Sequence, residues 1–187
     1  MKVISGILKG RTILGYNIDG TRPTMDRVKE SIFAMIQDNI KDSIVLDLFS
    51  GSGNYGIESI SLGSKLVYFN DRNKECVNII NKNINNFNIK DKSIILNMDY
   101  LKCLKYLNIN KNKFDLVFLD PPYKEHIIEN VLIYLVDNHL LNDNALIICE
   151  FMKDKLNDKY NNLEVIKARK YGEKEVFIYK YKGDKDE

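Results

Sequence analysis

From Ser43 onward, apolar positions follow two alternating rhythms. Short β-branched runs, bounded by polar or turn-forming residues, predict strands at Ile44–Leu48, Lys65–Asn70, Ser93–Asn97, Phe114–Leu119 and Ala145–Glu150. Between them, apolar residues recur at helical spacing over Gly56–Leu62, Asn73–Phe87, Tyr100–Leu107 and Glu125–Asn138. Four consecutive βα units imply a parallel sheet with helices on both faces. Two later β-rich runs, Leu163–Arg169 and Glu175–Tyr181, flank Tyr171-Gly172 and predict an antiparallel hairpin closing one edge. The expected fold class is therefore α/β: doubly wound, with a mostly parallel seven-stranded sheet.

Ahead of this repeat, Val3–Leu8 and Arg11–Leu14 lie around Lys9-Gly10 and read as a small β-hairpin. Thr24 is the expected cap of a following helix whose apolar face is Val28, Ile32, Met35 and Ile36. The chain thus divides into an N-terminal hairpin and helix extension (1–40), a main α/β domain (41–182) and a frayed tail (183–187).

Composition narrows the class. With 187 residues, 44% hydrophobic and 29% charged, the chain supports one well-filled core. It contains no apolar run of about 18 residues, and Met1–Gly6 has no apolar leader segment. A cytoplasmic protein without membrane contact is expected. Cys76, Cys103 and Cys149 are far apart and lack Cys-x-x-Cys spacing, so they read as reduced core thiols, with no metal site. The net charge of +2 is small, but Lys and Arg exceed Asp and Glu by six to three in residues 1–30 and ten to eight in 151–187; the middle has twelve against fifteen. Basic flanks around an acidic middle suit a core that meets phosphates through its N-terminal extension.

The chemistry concentrates where strands end. After Ile44-Val45-Leu46 comes Asp47-Leu48-Phe49-Ser50-Gly51-Ser52-Gly53-Asn54-Tyr55-Gly56, a strand, a glycine turn and a helix start that together read as a nucleotide cradle. Asp71, twenty positions after Gly51, also fits the ribose-binding acid of NAD enzymes. Against NAD stands Asp47, a carboxylate where a pyrophosphate would lie; it suits instead a cationic ligand such as S-adenosylmethionine, which carries a sulfonium and an ammonium. Ligands of open parallel sheets bind beyond the strands' carboxyl ends, which places Asp71 on ribose hydroxyls and Asp99 on an adenine amine. Asp99 reads equally as a helix cap before Tyr100.

Asp120-Pro121-Pro122-Tyr123 is the most specific signal. Two prolines make a rigid turn without N–H donors, leaving carbonyls as fixed acceptors for an exocyclic amine, with Tyr123 to stack on its base. Taken with Ile4-Ser5-Gly6, Lys9-Gly10-Arg11, Arg22-Pro23-Thr24-x-Asp26-Arg27-Val28-Lys29-Glu30 and Asp47-x-Phe49-x-Gly51-x-Gly53, it makes the chain resemble class I S-adenosylmethionine-dependent methyltransferases. Within them it resembles the RsmD family, which methylates a guanine N2 of bacterial small-subunit (16S) ribosomal RNA. The resemblance runs from Val3 to about Tyr181. It departs at the second strand, where relatives often carry two acids spaced by one residue; here the pair is Asp71 and Asn73.

The residue reading and the resemblance together imply these roles. Asp120, Pro121, Pro122 and Tyr123 are catalytic. Asp47, Phe49, Gly51, Ser52, Gly53, Asp71, Arg72, Asp99, Tyr100 and Asp120 bind S-adenosyl-L-methionine. Arg11, Arg22, Thr24, Arg27 and Tyr123 bind substrate. The partner is ribosomal RNA or the assembling small subunit, met by a monomer. Two alternatives stay open: an adenine-N6 methyltransferase, which would need a recognition domain for which there is no room, and an RNA-binding protein that kept the fold without the chemistry.

Overall fold

The computed structural model describes residues 1–15, 22–122, 127–152 and 155–183, with the side chains of residues 22–25 outside the described set. Tyr123 and the tail from Asp184 therefore lie outside the described residues, as do the side chains of Arg22 and Thr24.

Five parallel strands form the body of one sheet: β1 (Ile44–Asp47), β2 (Leu66–Asn70), β3 (Ser93–Leu96), β4 (Phe114–Leu119) and β5 (Leu141–Met152). They are followed by β6 (Lys159–Tyr160), β7 (Leu163–Tyr171) and β8 (Lys174–Tyr181), and the order across the sheet is β3-β2-β1-β4-β5-β8-β7-β6. β8 runs antiparallel to β5, and β7 antiparallel to β8. The sheet has eight strands where seven were expected. The extra strand, β6, is two residues long and too short to leave a pattern in the sequence; it pairs only with Glu164 and Leu163 at the start of β7. β5 also begins four residues earlier than its apolar run, because Leu141 pairs with Phe114 before a register shift.

Alternation along the strands sorts the core into two layers, as a two-period backbone requires. Leu46, Val117, Leu119, Ile147 and Cys149 face α4 (Tyr100–Ile109) and α5 (Ile128–Asp137). Val45, Leu116, Phe118 and Ile148 face α1 (Arg22–Ile36), α2 (Asn54–Ser61) and α3 (Lys74–Phe87). α2 sits close on β2 because residue 56 is glycine: a Cβ there would stand 2.2 Å from the Phe69 ring. α3 starts where the Asn73 side chain accepts from the Glu75 N–H. α1 starts at Arg22, two residues before the expected cap, and places Pro23 in its first turn, where no N–H is needed.

The N-terminal segment is bound into this core. Its two runs share one isolated antiparallel bridge, Lys2–Thr12, where a two-stranded hairpin was expected. Val3 N–H donates to Arg11 O, Gly10 N–H to Val3 O and Ile13 N–H to Met1 O between the runs, and the turn between them also binds α2: Ile7 N–H donates to Ser61 O, and Leu8 N–H to Ser61 Oγ. Glu58, fully buried on α2, accepts from the Ile4 and Ser5 N–H groups and forms a 3.0 Å ion pair with Lys29 of α1. Lys29 Nζ also donates to Lys2 O and Asn54 Oδ1, at 2.8 Å each. Burial pulls the Lys29 ammonium below its usual range and the Glu58 carboxylate opposes that pull. Removing one partner of such a pair strands the other charge in an apolar interior. Glu58→Ala is therefore expected to lower stability by about 3–5 kcal/mol in urea unfolding; a loss below about 1 kcal/mol would show that the pair does not hold the segment in place.

Candidate active site

The strand order reverses between β1 and β4, so the connections leaving their carboxyl ends diverge and a cleft opens above them. Its volume is about 840 Å³. One wall is the loop from Leu48 to Ser52; another is built by Thr12 to Gly15, with Asp71, Asp99, Asp120 and Glu150 around the rest. Asn83 of α3 clamps the two walls together: its side chain exchanges hydrogen bonds with both backbone groups of Leu14 and donates to Ser52 O.

The glycine loop spends its donors internally. Ser50 N–H donates to Asn70 O, Gly53 N–H to Ser50 O and Gly51 N–H to Asp71 Oδ2. Gly51 and Gly53 both have positive φ, 55° and 83°, which side chains resist. Asp47 is 2% exposed and accepts from the Gly56 N–H at 3.1 Å. Burial raises its carboxyl to a pKa of about 7, helped by the nearby Asp71 charge and opposed by the Gly56 and Ser50 hydrogen bonds. A loop with occupied N–H groups beside two carboxylates repels a pyrophosphate and favours a cation.

Asp71 is held in place from both sides. Its oxygens accept from Gly51 N–H and Asn73 N–H, at 2.9 and 2.8 Å, while Asn97 Nδ2 donates to the Asp71 and Arg72 carbonyls. A carboxylate offers about four acceptor positions, so roughly two stay available for a ligand diol. Asn70 donates to Leu48 O and Met98 O and keeps a buried Oδ1 with no partner in the described residues. Asp99 caps α4, accepting from Leu101 N–H at 3.0 Å, and it also lines the cleft. Phe49 and Tyr100 form a tilted ring pair, 5.9 Å between centroids, beside it.

At the other end of the cleft stands Asp120, followed by Pro121 and Pro122. Although Asp120 is partly open to the cleft, the dense protein around it desolvates the carboxyl and pushes it well above the ordinary range; Glu150 adds to the push, Lys174 opposes it and Asp47 reinforces it. Glu150 is 3% exposed and accepts from Lys174 Nζ at 2.5 Å and from the Tyr55 hydroxyl at 2.6 Å.

The structure gathers Asp47's loop, Asp71, Arg72, Asp99, Tyr100, Asp120, Pro121 and Pro122 at one cleft. Gly53 instead starts α2 as its cap residue. Arg11 lies at the end of α3, donating to Asn86 O and covering the Phe87 ring at 4.7 Å; Arg27 is exposed on α1. Neither is part of the cleft wall. Residues that the sequence reading missed include Tyr55, Asn70, Glu150 and Lys174, all at the cleft. Glu150 follows an apolar strand just as Asp47 and Asp120 do, a usable signal; Lys174 reaches the site only because β8 pairs with β5, which no local pattern announces.

Comparison with known proteins places this architecture. The chain matches the family described as Conserved hypothetical protein 95 over residues 1–180. It is 37% identical over 156 residues to "Ribosomal RNA small subunit methyltransferase D" of Haemophilus influenzae, covering 83% of this chain and 80% of that one. It is 33% identical to "Putative rRNA methyltransferase YlbH" of Bacillus subtilis across 98% of this chain and 100% of that one. Among solved structures, "Putative methyltransferase yhhF" from Escherichia coli superposes with a TM-score of 0.85 at 25% identity, covering 98% and 99% of the two chains. With its carboxylate-lined cleft at the strand-order reversal, the chain belongs to the Conserved hypothetical protein 95 family, the RsmD family of methyltransferases.

Proposed function

We propose that this protein methylates the exocyclic N2 amine of a guanine in small-subunit ribosomal RNA, with S-adenosylmethionine as donor. The observation that carries the reading is a cleft lined at one end by Asp71 and Asp99 and at the other by Asp120-Pro121-Pro122, so that a nucleoside-bearing donor and an amine acceptor would meet in the same cleft. The residues fit the donor. The orphaned Asn70 Oδ1 needs a hydrogen-bond donor, Asp71 keeps acceptor capacity for ribose hydroxyls, and Asp47 suits a cation. Bound there, S-adenosylmethionine supplies an electrophilic methyl group on a positively charged sulfur.

What the chain adds is position and charge. Asp120 and the Pro121 carbonyl accept the two amine N–H bonds, which localises the nitrogen lone pair and aims it at the methyl; proximity of this kind is a large part of catalysis. Forming the N–C bond leaves the nitrogen with one proton too many, and ionised Asp120 is its acceptor. Tyr123 takes the stacking role that the resemblance implies. Arg11, Arg22, Thr24 and Arg27 of the N-terminal extension are the RNA-binding set that the resemblance implies, with Arg11 and Arg27 outside the cleft wall, and the protein acts as a cytoplasmic monomer. Among the described residues no helix is long and apolar enough to cross a membrane, and no group of three or more His, Cys, Asp or Glu could hold a metal ion.

Asp120→Ala is expected to cut turnover at least about a hundredfold with little change in cofactor affinity. Mass spectrometry of nucleosides from treated small-subunit RNA is expected to show N2-methylguanosine; N6-methyladenosine, or full activity in the variant, would overturn the assignment. Asp71→Ala leaves a bound diol without its acceptor, and calorimetry is expected to show affinity weakened roughly ten- to hundredfold.

The pH dependence follows from Asp47. Its folded pKa of about 7 lies above the ordinary 3.8, so the cofactor-free protein loses stability as pH rises from about 4 toward 7. A bound cation favours the ionised carboxyl, so S-adenosylmethionine affinity is expected to rise with pH up to about 7 and then level. Asp47→Asn is expected to flatten that rise; an unchanged profile would move the cation contact elsewhere.

A further inference from the structure

Three neighbouring strands, β4, β5 and β8, line up polar side chains at one end of the sheet. Leu119 pairs with Cys149 in the β4–β5 register, and both face α4 and α5; the next residues, Asp120 and Glu150, therefore turn to the opposite face, toward α1, α2 and α3. Glu150 pairs with Val176 and Met152 with Lys174 in the β5–β8 register. Val176 faces the α1–α3 layer, and Lys174, two positions before it, shares that face. Asp120, Glu150 and Lys174 thus form a row, on adjacent strands, along the cleft floor. Tyr55 closes the row from α2, its ring stacked on Phe118 at 5.0 Å and 9° and its hydroxyl donating to Glu150.

We propose that Lys174, anchored by Glu150, which Tyr55 holds in turn, is a positioning residue whose ammonium favours the ionised form of Asp120 for the acceptor amine, so that the β7–β8 hairpin completes the methyl-transfer site. The inference rests on the reading above that Asp120 receives the amine. Its physical basis is acceptor chemistry: a protonated carboxyl turns one oxygen into a donor, which faces an N–H wrongly and cannot take the proton shed when the N–C bond forms. Dense protein, Glu150 and Asp47 all disfavour charge on Asp120, while Lys174 favours it. Glu150 has the two-sided task of holding the Lys174 ammonium in place while adding a negative charge of its own. An ammonium fixed by a carboxylate that a phenol holds in turn loses the freedom of an exposed lysine, so its distance to Asp120 is set by the sheet register. The hairpin that carries it is tied down elsewhere: Tyr171 donates its hydroxyl to Ser31 Oγ, and Lys167 donates to Met35 O at 2.6 Å, both on α1.

The test compares wild-type protein with Lys174→Met, Lys174→Arg and Glu150→Gln in two measurements: the pH–rate profile of RNA methylation at saturating S-adenosylmethionine, and the carbon-13 titration of the Asp120 carboxyl in cofactor-free protein. Removing the cation makes Asp120 harder to ionise, so Lys174→Met moves the ascending limb and the carboxyl titration to higher pH by about one unit or more. Glu150→Gln moves both to lower pH, and Lys174→Arg restores them to near the wild-type position. At neutral pH, kcat falls for Lys174→Met while KM for S-adenosylmethionine stays within about threefold, a split that mere loss of packing would not give. Coincident titrations in all four proteins overturn the proposal. If Lys174→Met fails to fold, Lys174→Gln is read in its place, and the absence of an alkaline shift there is equally fatal. A methylated product other than N2-methylguanosine would overturn the substrate reading instead, while the carboxyl titration, which needs no RNA, still decides the role of Lys174.

Discussion

Two parallel strands, β1 and β4, lie side by side at the centre of the sheet, and the chain leaves their carboxyl ends in opposite directions. No backbone can cover that gap without reversing a crossover, so the space above it stays open while both faces of the sheet are filled. Everything chemical in the molecule is arranged on its rim. The same parallel geometry that buries Val45, Leu46, Val117 and Phe118 brings the buried Asp47 and the cleft-lining Asp120 within electrostatic reach of each other.

A rim lined with carboxylates needs supporting contacts, and two sets supply them. Internal hydrogen bonds satisfy the glycine loop: Asp47 holds α2 through Gly56, and Asp71 holds the loop through Gly51. Held in this way, the carboxylates are aimed before any ligand arrives, which removes part of the ordering cost of binding. The N-terminal segment forms the other support. Buried Glu58 and Lys29 fasten it to α2 and α1, and Asn83 fixes Leu14 against Ser52, so the segment becomes a wall of the cleft. The charged residues of the N-terminal signature therefore have unlike tasks: Lys29 is internal, whereas Arg27 faces solvent.

Electrostatics divides the cleft into two ends. Beside Asp71, burial raises the Asp47 carboxyl to a pKa of about 7, and the Asp71 charge adds to that rise. Around Asp120, burial pushes the carboxyl well above its ordinary range, and a compact set of opposing charges acts on it as well, Glu150 adding to the push and Lys174 opposing it. The two ends interact, since Asp47 also acts on Asp120.

Local pattern was enough to read the strands β1 to β4 within a residue or so, the alternation of helices, and the antiparallel hairpin around Gly172, because each depends on the period of its own side chains. It was also enough to pick out the strand-end aspartates, since a parallel sheet brings every strand's carboxyl end to the same side. It did not show the two-residue β6, the early start of β5 at Leu141, or the tethering of the N-terminal runs to α2 where a free hairpin was expected; these are decided by partners far along the chain. Glu150 and Lys174 belong to the same class. By itself the sequence determined which residues end the strands and which turns carry acceptors, because those are short-range properties of the backbone. Only the tertiary structure decided that a lysine from the last strand stands beside a carboxylate from the fifth, because that contact depends on the register between β5 and β8, which separates the two residues by 24 positions.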